Sequence, residues 1–84
     1  MTETEAAQAY ARQVGQRVRE ARKAAGMTQA ELGAHFARSS SYVSACELGT
    51  QAFAVNDLFI AARVLRKSVR YFTAPNATGT SRAA

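Results

Sequence analysis

The most constraining feature of this sequence is a helix stop followed at once by a helix start. Gly26 suits the left-handed conformation that closes a helix. Thr28 and Glu31 then form the S/T-x-x-E pattern of a capping box, in which each side chain bonds the backbone N–H of the other residue. The chain must therefore change direction between two helices at residues 26–28.

The segment before this junction predicts a long helix from about Glu5 to Ala25. Thr2 and Glu5 form a second capping box, although a start nearer Ala9 with a frayed end before it fits equally well. Apolar residues recur at three- and four-residue spacing and draw one stripe along the helix. The stripe consists of Tyr10, Val14, Val18, Ala21 and Ala25.

The next two helices are short. The first runs from Gln29 to about Ala37, with Leu32 and Phe36 on its inward face. Ser39 or Ser40 can cap the second, which ends at Leu48 with Gly49 as its stop. Only about three residues join these helices, which is the outline of a helix-turn-helix.

Two further helices follow. Asn56 is expected to cap a fourth helix, and Ser68 can cap a last turn that carries Val69 and Phe72. The apolar stripe of the fourth helix consists of Leu58, Ala61, Ala62 and Leu65. Because no strand-like alternation and no internal repeat occur, we predict an all-α fold of five helices. The domain covers residues 9–72, residues 1–8 form an extension that can continue the first helix, and residues 73–84 form a disordered tail.

Composition narrows the class of function. A chain of 84 residues has room for one small domain, and it contains no nucleophile–base pair, metal-ligand set or phosphate loop, so we expect neither an enzyme nor a cofactor. One Cys and one His exclude an internal disulfide and an ordinary zinc site. The formal charge of +5 favours nucleic acid as a partner, with a simple solubility charge as the alternative. No membrane-span pattern or basic signal peptide occurs, which favours a cytoplasmic location.

The register of the central helices is specific. The segment GQRVREARKAAGMTQAELGAHFARSSSYVSACELG resembles the Cro and phage-repressor (XRE) type of helix-turn-helix protein, and the resemblance extends from Val14 to about Phe72. The matching positions, without a gap, are Gln29, Leu32, Gly33, Val43, Ser44, Glu47 and Gly49. The resemblance implies a five-helix, lambda-repressor-like DNA-binding domain whose third helix enters the major groove.

The resemblance also implies roles for individual residues. The positions that approach base edges are Ser40, Ser41, Ser44 and Ala45. Those expected to contact phosphates are Thr28, Gln29, Arg38, Tyr42, Thr50 and Gln51. Arg22, seven residues before Gln29, is expected to form an internal ion pair with Glu47 at the end of the recognition helix.

Two departures from the family pattern stand out. The turn carries Ala37 and Arg38 where relatives usually have Gly and Val, so we expect a slightly different backbone there. The loop after the recognition helix lacks the Lys or Arg that relatives often use to grip the DNA backbone. The cations must then come from Arg38 and from a subset of those in the first helix, which are Arg12, Arg17, Arg19 and Lys23.

Other notable residues have ordinary explanations. Cys46 is expected to be a small buried hydrophobe and His35 a surface residue, while Asn76 begins a glycosylation-like triplet without a secretory signal. The aromatic residues in the C-terminal half of the chain are more numerous than the core of a small helix bundle requires. The late cations, which form either a solvated face or a partner surface, are Arg63, Arg66, Lys67 and Arg70.

The function expected from these features is that of a homodimeric, sequence-specific regulator of transcription. We expect a bacterial or phage repressor that binds a pseudo-palindromic operator in double-stranded DNA, within the nucleoid. The alternative is a helix bundle that acts mainly as a protein-interaction module, such as an antitoxin-like protein or an adaptor. The serine-rich recognition helix favours that alternative, because serine discriminates bases weakly.

Overall fold

The protein was analysed as a computed structural model, which describes residues 1–75; the glycosylation-like triplet at Asn76 and most of the predicted tail lie outside them. The described chain is entirely helical apart from turns and loops, in agreement with the predicted fold class. Its helices are α1 (Glu3–Ala24), α2 (Gln29–Phe36), α3 (Ser40–Leu48), α4 (Val55–Leu65) and α5 (Val69–Thr73). None of them is long and apolar enough to cross a membrane.

Local capping signals fix most helix ends. Both predicted capping boxes are formed, with Thr2 at the start of α1 and Thr28 at the start of α2. Ser39 caps α3 through the backbone N–H of Tyr42. Because α1 begins at Glu3, residues 3–8 continue the first helix and the alternative start near Ala9 is wrong.

The predicted cap of α4 is also wrong. The helix begins at Val55, with Ala54 as its N-cap, so Asn56 lies within the first turn. A side chain from α3 takes over the capping task, because the Tyr42 hydroxyl accepts a hydrogen bond of 3.1 Å from the Ala54 backbone N–H. The same hydroxyl donates to Asp57 Oδ2 at 2.7 Å. This arrangement connects α3 to the start of α4.

The predicted tail boundary at residue 73 lies too early. Thr73 is the last residue of α5, and its carbonyl accepts a hydrogen bond of 2.6 Å from the Tyr10 hydroxyl. Gln13 Nε2 donates to the carbonyl of Ala74 at 2.9 Å. Side chains of α1 therefore hold the chain in place through residue 74, two residues beyond the domain limit expected from sequence.

The core lies where α1, α2 and α3 meet and extends to α4 and α5. Its largest fully buried side chains are Val18, Leu32, Val43, Cys46 and Phe72. The predicted stripe of α1 is buried only in its middle, because Tyr10 and Ala25 at its two ends are exposed. The stripe of α4 is buried at Ala61, Ala62 and Leu65, whereas Leu58 is half-buried.

The turn between α2 and α3 keeps a left-handed residue despite the absence of glycine. Ala37 has φ 59° and ψ 41°, and the N–H of Arg38 donates to the carbonyl of Gly33 at 2.9 Å. Ala37 thus adopts the left-handed conformation that glycine favours. An alanine in this conformation costs about 1–2 kcal/mol, which the surrounding helix packing must offset.

Two buried glycines set the distances between helices. A Cβ atom on Gly15 of α1 would collide with the carbonyl oxygen of Cys46 and lie 2.7 Å from that of Glu47. A Cβ atom on Gly33 of α2 would lie 2.8 Å from the carbonyl oxygen of Arg38. The backbone of α1 therefore rests directly on the end of α3, and that of α2 on the turn before α3.

We predict that Gly15→Ala destabilises the protein, although alanine is the better helix former. The new methyl group meets backbone atoms that cannot move without shifting α3, so we expect a loss of about 1–3 kcal/mol. Thermal unfolding followed by circular dichroism measures the change. Gln16→Ala, at the exposed neighbouring position, is the control and should leave the melting temperature nearly unchanged. Equal melting temperatures for the two variants would show that α1 does not touch α3 as described.

Candidate nucleic-acid interface

A buried ion pair joins the first helix to the third. Arg22 Nε lies 2.7 Å from Glu47 Oε2, and Arg22 Nη2 lies 3.0 Å from Glu47 Oε1. The Glu47 side chain is only 1% exposed. Arg22 Nη1 also donates to the carbonyl of Met27 at 2.8 Å. The ion pair is bidentate, which is the strong form of an arginine–carboxylate contact. It fixes the end of α3 relative to α1 and to the turn before α2.

The start of α2 is tied to the same carboxylate. Gln29 Nε2 donates to Glu47 Oε1 at 3.1 Å, so the amide that we expected to face a phosphate is anchored inside the protein. The first-turn backbone N–H groups of Gln29 and Ala30 have no intrahelical acceptor. They are the groups that a phosphate could bind at this end of the helix, where the helix dipole also favours an anion.

One side of α3 is open to solvent. Ser40 and Ser41 are exposed, and Ser44 and Ala45 are half-buried, whereas the opposite side is buried at Val43, Cys46 and Glu47. The loop after the helix continues this open side. Thr50 Oγ1 donates to the carbonyl of Ala45 at 3.1 Å, and Gln51 is exposed. The structure therefore brings the residues expected to approach DNA from α3 and the loop together on one surface.

Two arginines of α1 lie beside that surface. Arg12, Gln16 and Arg19 recur at four- and three-residue spacing, and they border a cleft of about 470 Å³ with Gln29 and Ser44. Arg12 also contacts the end of α3, because a Cβ atom on Gly49 would lie 2.6 Å from Arg12 Cα. A cation thus stands next to the loop that carries none of its own.

The other cations of α1 take different roles. Arg17 Nη1 donates to the carbonyl of Tyr71 at 3.3 Å and also to that of Ala74, so it caps the end of α5. Lys23 is exposed in the last turn of α1, near the negative end of the helix dipole. Of the four cations expected to share the phosphate contacts, only Arg12 and Arg19 border the cleft.

A family model described as a helix-turn-helix domain matches residues 13–70 of the chain. The protein belongs to this helix-turn-helix family. The match covers nearly the same residues as the resemblance found in the sequence, and it assigns the chain to a class of DNA-binding domains. No curated protein and no solved structure matches the chain.

In this helix-turn-helix protein, Arg38 occupies two environments at once. Its Nε donates to Asp57 Oδ2 at 3.1 Å, and its guanidinium carbon lies 4.4 Å from the centroid of the Tyr42 ring. The side chain is nevertheless 43% exposed. Arg38 therefore stands at the start of the recognition helix with a fixed orientation and a solvent-facing edge.

Tyr42 has a structural role that the sequence did not reveal. Its hydroxyl hydrogen goes to Asp57, and its ring meets Phe53 edge to face with centroids 6.2 Å apart. Burial raises the pKa of Tyr42 to about 12, and the hydrogen bond to Asp57 acts in the same direction. Because this hydroxyl is already engaged, the predicted contact of Tyr42 with a phosphate does not fit the structure.

The single cysteine and the single histidine lie where the sequence predicts them. Cys46 is completely buried, and burial raises the pKa of its thiol. His35 is exposed on α2. The late cations lie on the α4–α5 side, where Arg63 stacks on Phe59 at 5.9 Å and Lys67 on Tyr71 at 4.7 Å.

Sequence reasoning missed which cations of α1 border the recognition helix. The signal was present in the spacing of Arg12, Gln16 and Arg19, which places them on one helix face. The sequence does not reveal which other helix packs beside that face. That neighbour follows from the close contacts at Gly15 and Gly49, which depend on the folded arrangement of α1 and α3.

We predict that Glu47→Ala lowers the free energy of unfolding by about 3–5 kcal/mol, because it leaves the Arg22 guanidinium buried without a counter-charge. Urea unfolding at neutral pH measures the loss. Glu20→Ala removes an exposed carboxylate from the same region and should change the free energy by less than about 0.5 kcal/mol. A loss for Glu47→Ala as small as that of the control would contradict a structural role for the pair.

Proposed function

We propose that this protein is a dimeric, sequence-specific regulator that binds double-stranded DNA and represses transcription in a bacterial cytoplasm. The observation that carries the proposal is the arrangement of donors around α3. Ser44 on the open, hydroxyl-rich face of α3 lines one cleft together with Gln29 at the start of α2 and Arg12 of α1. Arg12 also borders Thr50 of the loop after α3, so groups that can donate to phosphates lie beside that face.

The phosphate contacts in this proposal position the recognition helix in the major groove. Arg12 and Arg19 supply charge beside the cleft, and Arg38 supplies it at the start of α3. Thr28, Thr50 and Gln51 add neutral hydrogen bonds. Contacts of this kind fix register and orientation on the duplex, and each charged one adds to the salt dependence of binding.

The base contacts come from Ser40, Ser41, Ser44 and Ala45. A serine hydroxyl can donate or accept and so tolerates several bases, and the Ala45 methyl group can contact the methyl group of a thymine. Each copy thus discriminates weakly on its own. Two copies related by a twofold axis, with recognition helices about 34 Å apart, bind the two halves of a pseudo-palindrome. The preference of the dimer for the correct site is then the product of the two half-site preferences.

Repression follows from simple occupancy. A dimer that covers an operator within a promoter excludes the polymerase from the same DNA, and this requires no further activity of the protein. Control would then operate through the concentration of the protein, or through a partner protein that competes for it.

A second candidate function is that of a protein-interaction module. One observation favours it: the α4–α5 side exposes Val55 and Phe59 together with Arg63 and Lys67. A surface of apolar and basic side chains suits an acidic partner protein. In this reading the open face of α3 binds no particular DNA sequence.

Selection of bound duplexes from a random pool, followed by footprinting, tests the proposal. We expect enrichment of a pseudo-palindrome whose half-sites lie about one helical turn apart. Ser41→Asp places a negative charge on the exposed face of α3 and should abolish that enrichment, whereas His35→Asp, exposed on α2, serves as the charge-matched control. A pool that remains random at moderate salt would refute sequence-specific binding and favour the interaction module.

We further predict that Arg12→Ala weakens DNA binding and makes the slope of log K against log salt less negative by about 0.9, as expected for one lost phosphate contact. Lys67→Ala removes the same charge from the far side of the domain and is the matched control. Fluorescence anisotropy titrations across a salt series measure both slopes. Equal slopes for the two variants would show that Arg12 contributes only net charge and does not touch the DNA backbone.

A further inference from the structure

Asp57, in the first turn of α4, is a buried carboxylate that binds side chains from the start of α3. Its Oδ2 atom accepts a hydrogen bond of 2.7 Å from the Tyr42 hydroxyl and one of 3.1 Å from Arg38 Nε. The Tyr42 hydroxyl in turn accepts from the Ala54 backbone N–H at 3.1 Å. The position of the carboxylate is therefore fixed by α4 itself and by α3, before any ligand is bound.

The ion pair between Arg38 and Asp57 is uneven in burial. The Asp57 side chain is 7% exposed, whereas the Arg38 side chain is 43% exposed. An ion pair whose cation is this exposed contributes little to stability. Its main effect is on orientation, because one edge of the guanidinium is bound to Asp57 while one face lies over the Tyr42 ring, 4.4 Å from its centroid.

The outer edge of the Arg38 guanidinium is available to a ligand. Its Nη1 and Nη2 groups form no hydrogen bond within the part of the chain that the structure describes. Two parallel N–H groups of this kind match two oxygens of a phosphate. Arg38 directly precedes Ser39, the N-cap of α3, so this pair of donors stands beside the first-turn residues Ser40 and Ser41.

We propose that Asp57 is a positioning residue for DNA binding, which holds Arg38 so that its Nη1 and Nη2 groups meet a phosphate of the DNA backbone. The inference rests on the proposed function, because it assigns a further residue to the same surface. A mobile arginine loses rotamer freedom when it binds a phosphate, and an arginine already held on two sides loses less. Phosphate contacts also set the register of a protein on the duplex. A fixed Arg38 thus helps to place Ser40 and Ser41 against the base edges.

The sign of one substitution separates this role from that of net charge. Asp57→Asn raises the formal charge of +5 by one, and electrostatics alone would then strengthen binding to a polyanion. We expect the opposite, a loss of affinity of about threefold or more from the freed side chain. The amide oxygen of the asparagine can still accept from Tyr42, but a neutral group holds the guanidinium more weakly.

The matched control is Glu3→Gln, which removes the same charge from an exposed position in the first turn of α1. This variant should bind DNA as tightly as the wild type or slightly more tightly. Fluorescence anisotropy titrations at moderate salt measure the affinities, and thermal unfolding checks the fold of each variant. The duplex is one enriched by the selection or, where the pool stays random, one of arbitrary sequence.

A double-mutant cycle tests whether Asp57 acts through Arg38. Arg38→Ala should weaken binding at least about tenfold, the cost of one charge-assisted contact. In that background Asp57→Asn should cause no further loss, because no guanidinium remains to be oriented. A residue that acted only through the fold would cause the same loss in both backgrounds.

Arg38→Lys tests the contact without changing a buried residue, so it decides the matter even if Asp57→Asn destabilises the domain. Lysine keeps the charge but lacks the paired N–H groups, and it should weaken binding several-fold. Affinity of Asp57→Asn at or above that of the wild type, equal losses with and without Arg38, or full affinity of Arg38→Lys would overturn the inference. A wild type that shows the expected losses but selects no sequence would refute the proposed function and leave the role of Asp57 standing. A wild type that binds no duplex would refute both.

Discussion

The buried pair of Arg22 and Glu47 is the interaction on which the arrangement of the other helices depends. A charge without a partner in the protein interior is strongly unfavourable, so neither residue can move without the other. Glu47 accepts from Arg22 of α1 and from Gln29 of α2, while belonging itself to α3. Three helices thus converge on one carboxylate. Replacing such a pair with apolar residues often costs little stability, so its value here lies in geometry: it fixes the recognition helix against the start of α2.

This geometry explains how the domain presents cations without a basic loop after α3. The missing side chains of Gly15 and Gly49 let α1 lie directly on the end of the recognition helix. Arg12 then lies beside Thr50. In the proposed function this cation is held on a helix, which reduces the conformational entropy lost on binding a phosphate.

Sequence reasoning succeeded where the determinant was local and failed where it came from another helix. The capping boxes at Thr2 and Thr28 contain both of their partners within three residues, so the sequence alone reveals them. The start of α4 differs from the prediction at Asn56, because the N–H of its N-cap residue is bound by Tyr42 from α3. The sequence likewise does not reveal the internal partners of Tyr42. Its partner Asp57 is fifteen residues away along the chain, and only the folded arrangement brings the two together.

The charge of the chain is divided between surfaces that have different tasks. Arg12 and Arg19 border the cleft beside α3, whereas Arg63 and Lys67 lie over aromatic rings of α4 and α5. A face of serines gives each copy little power to discriminate between bases, so specificity in the proposed regulator must grow with the number of copies bound. Association of two copies and recognition of a palindrome are then thermodynamically linked, and each must favour the other by the same free energy.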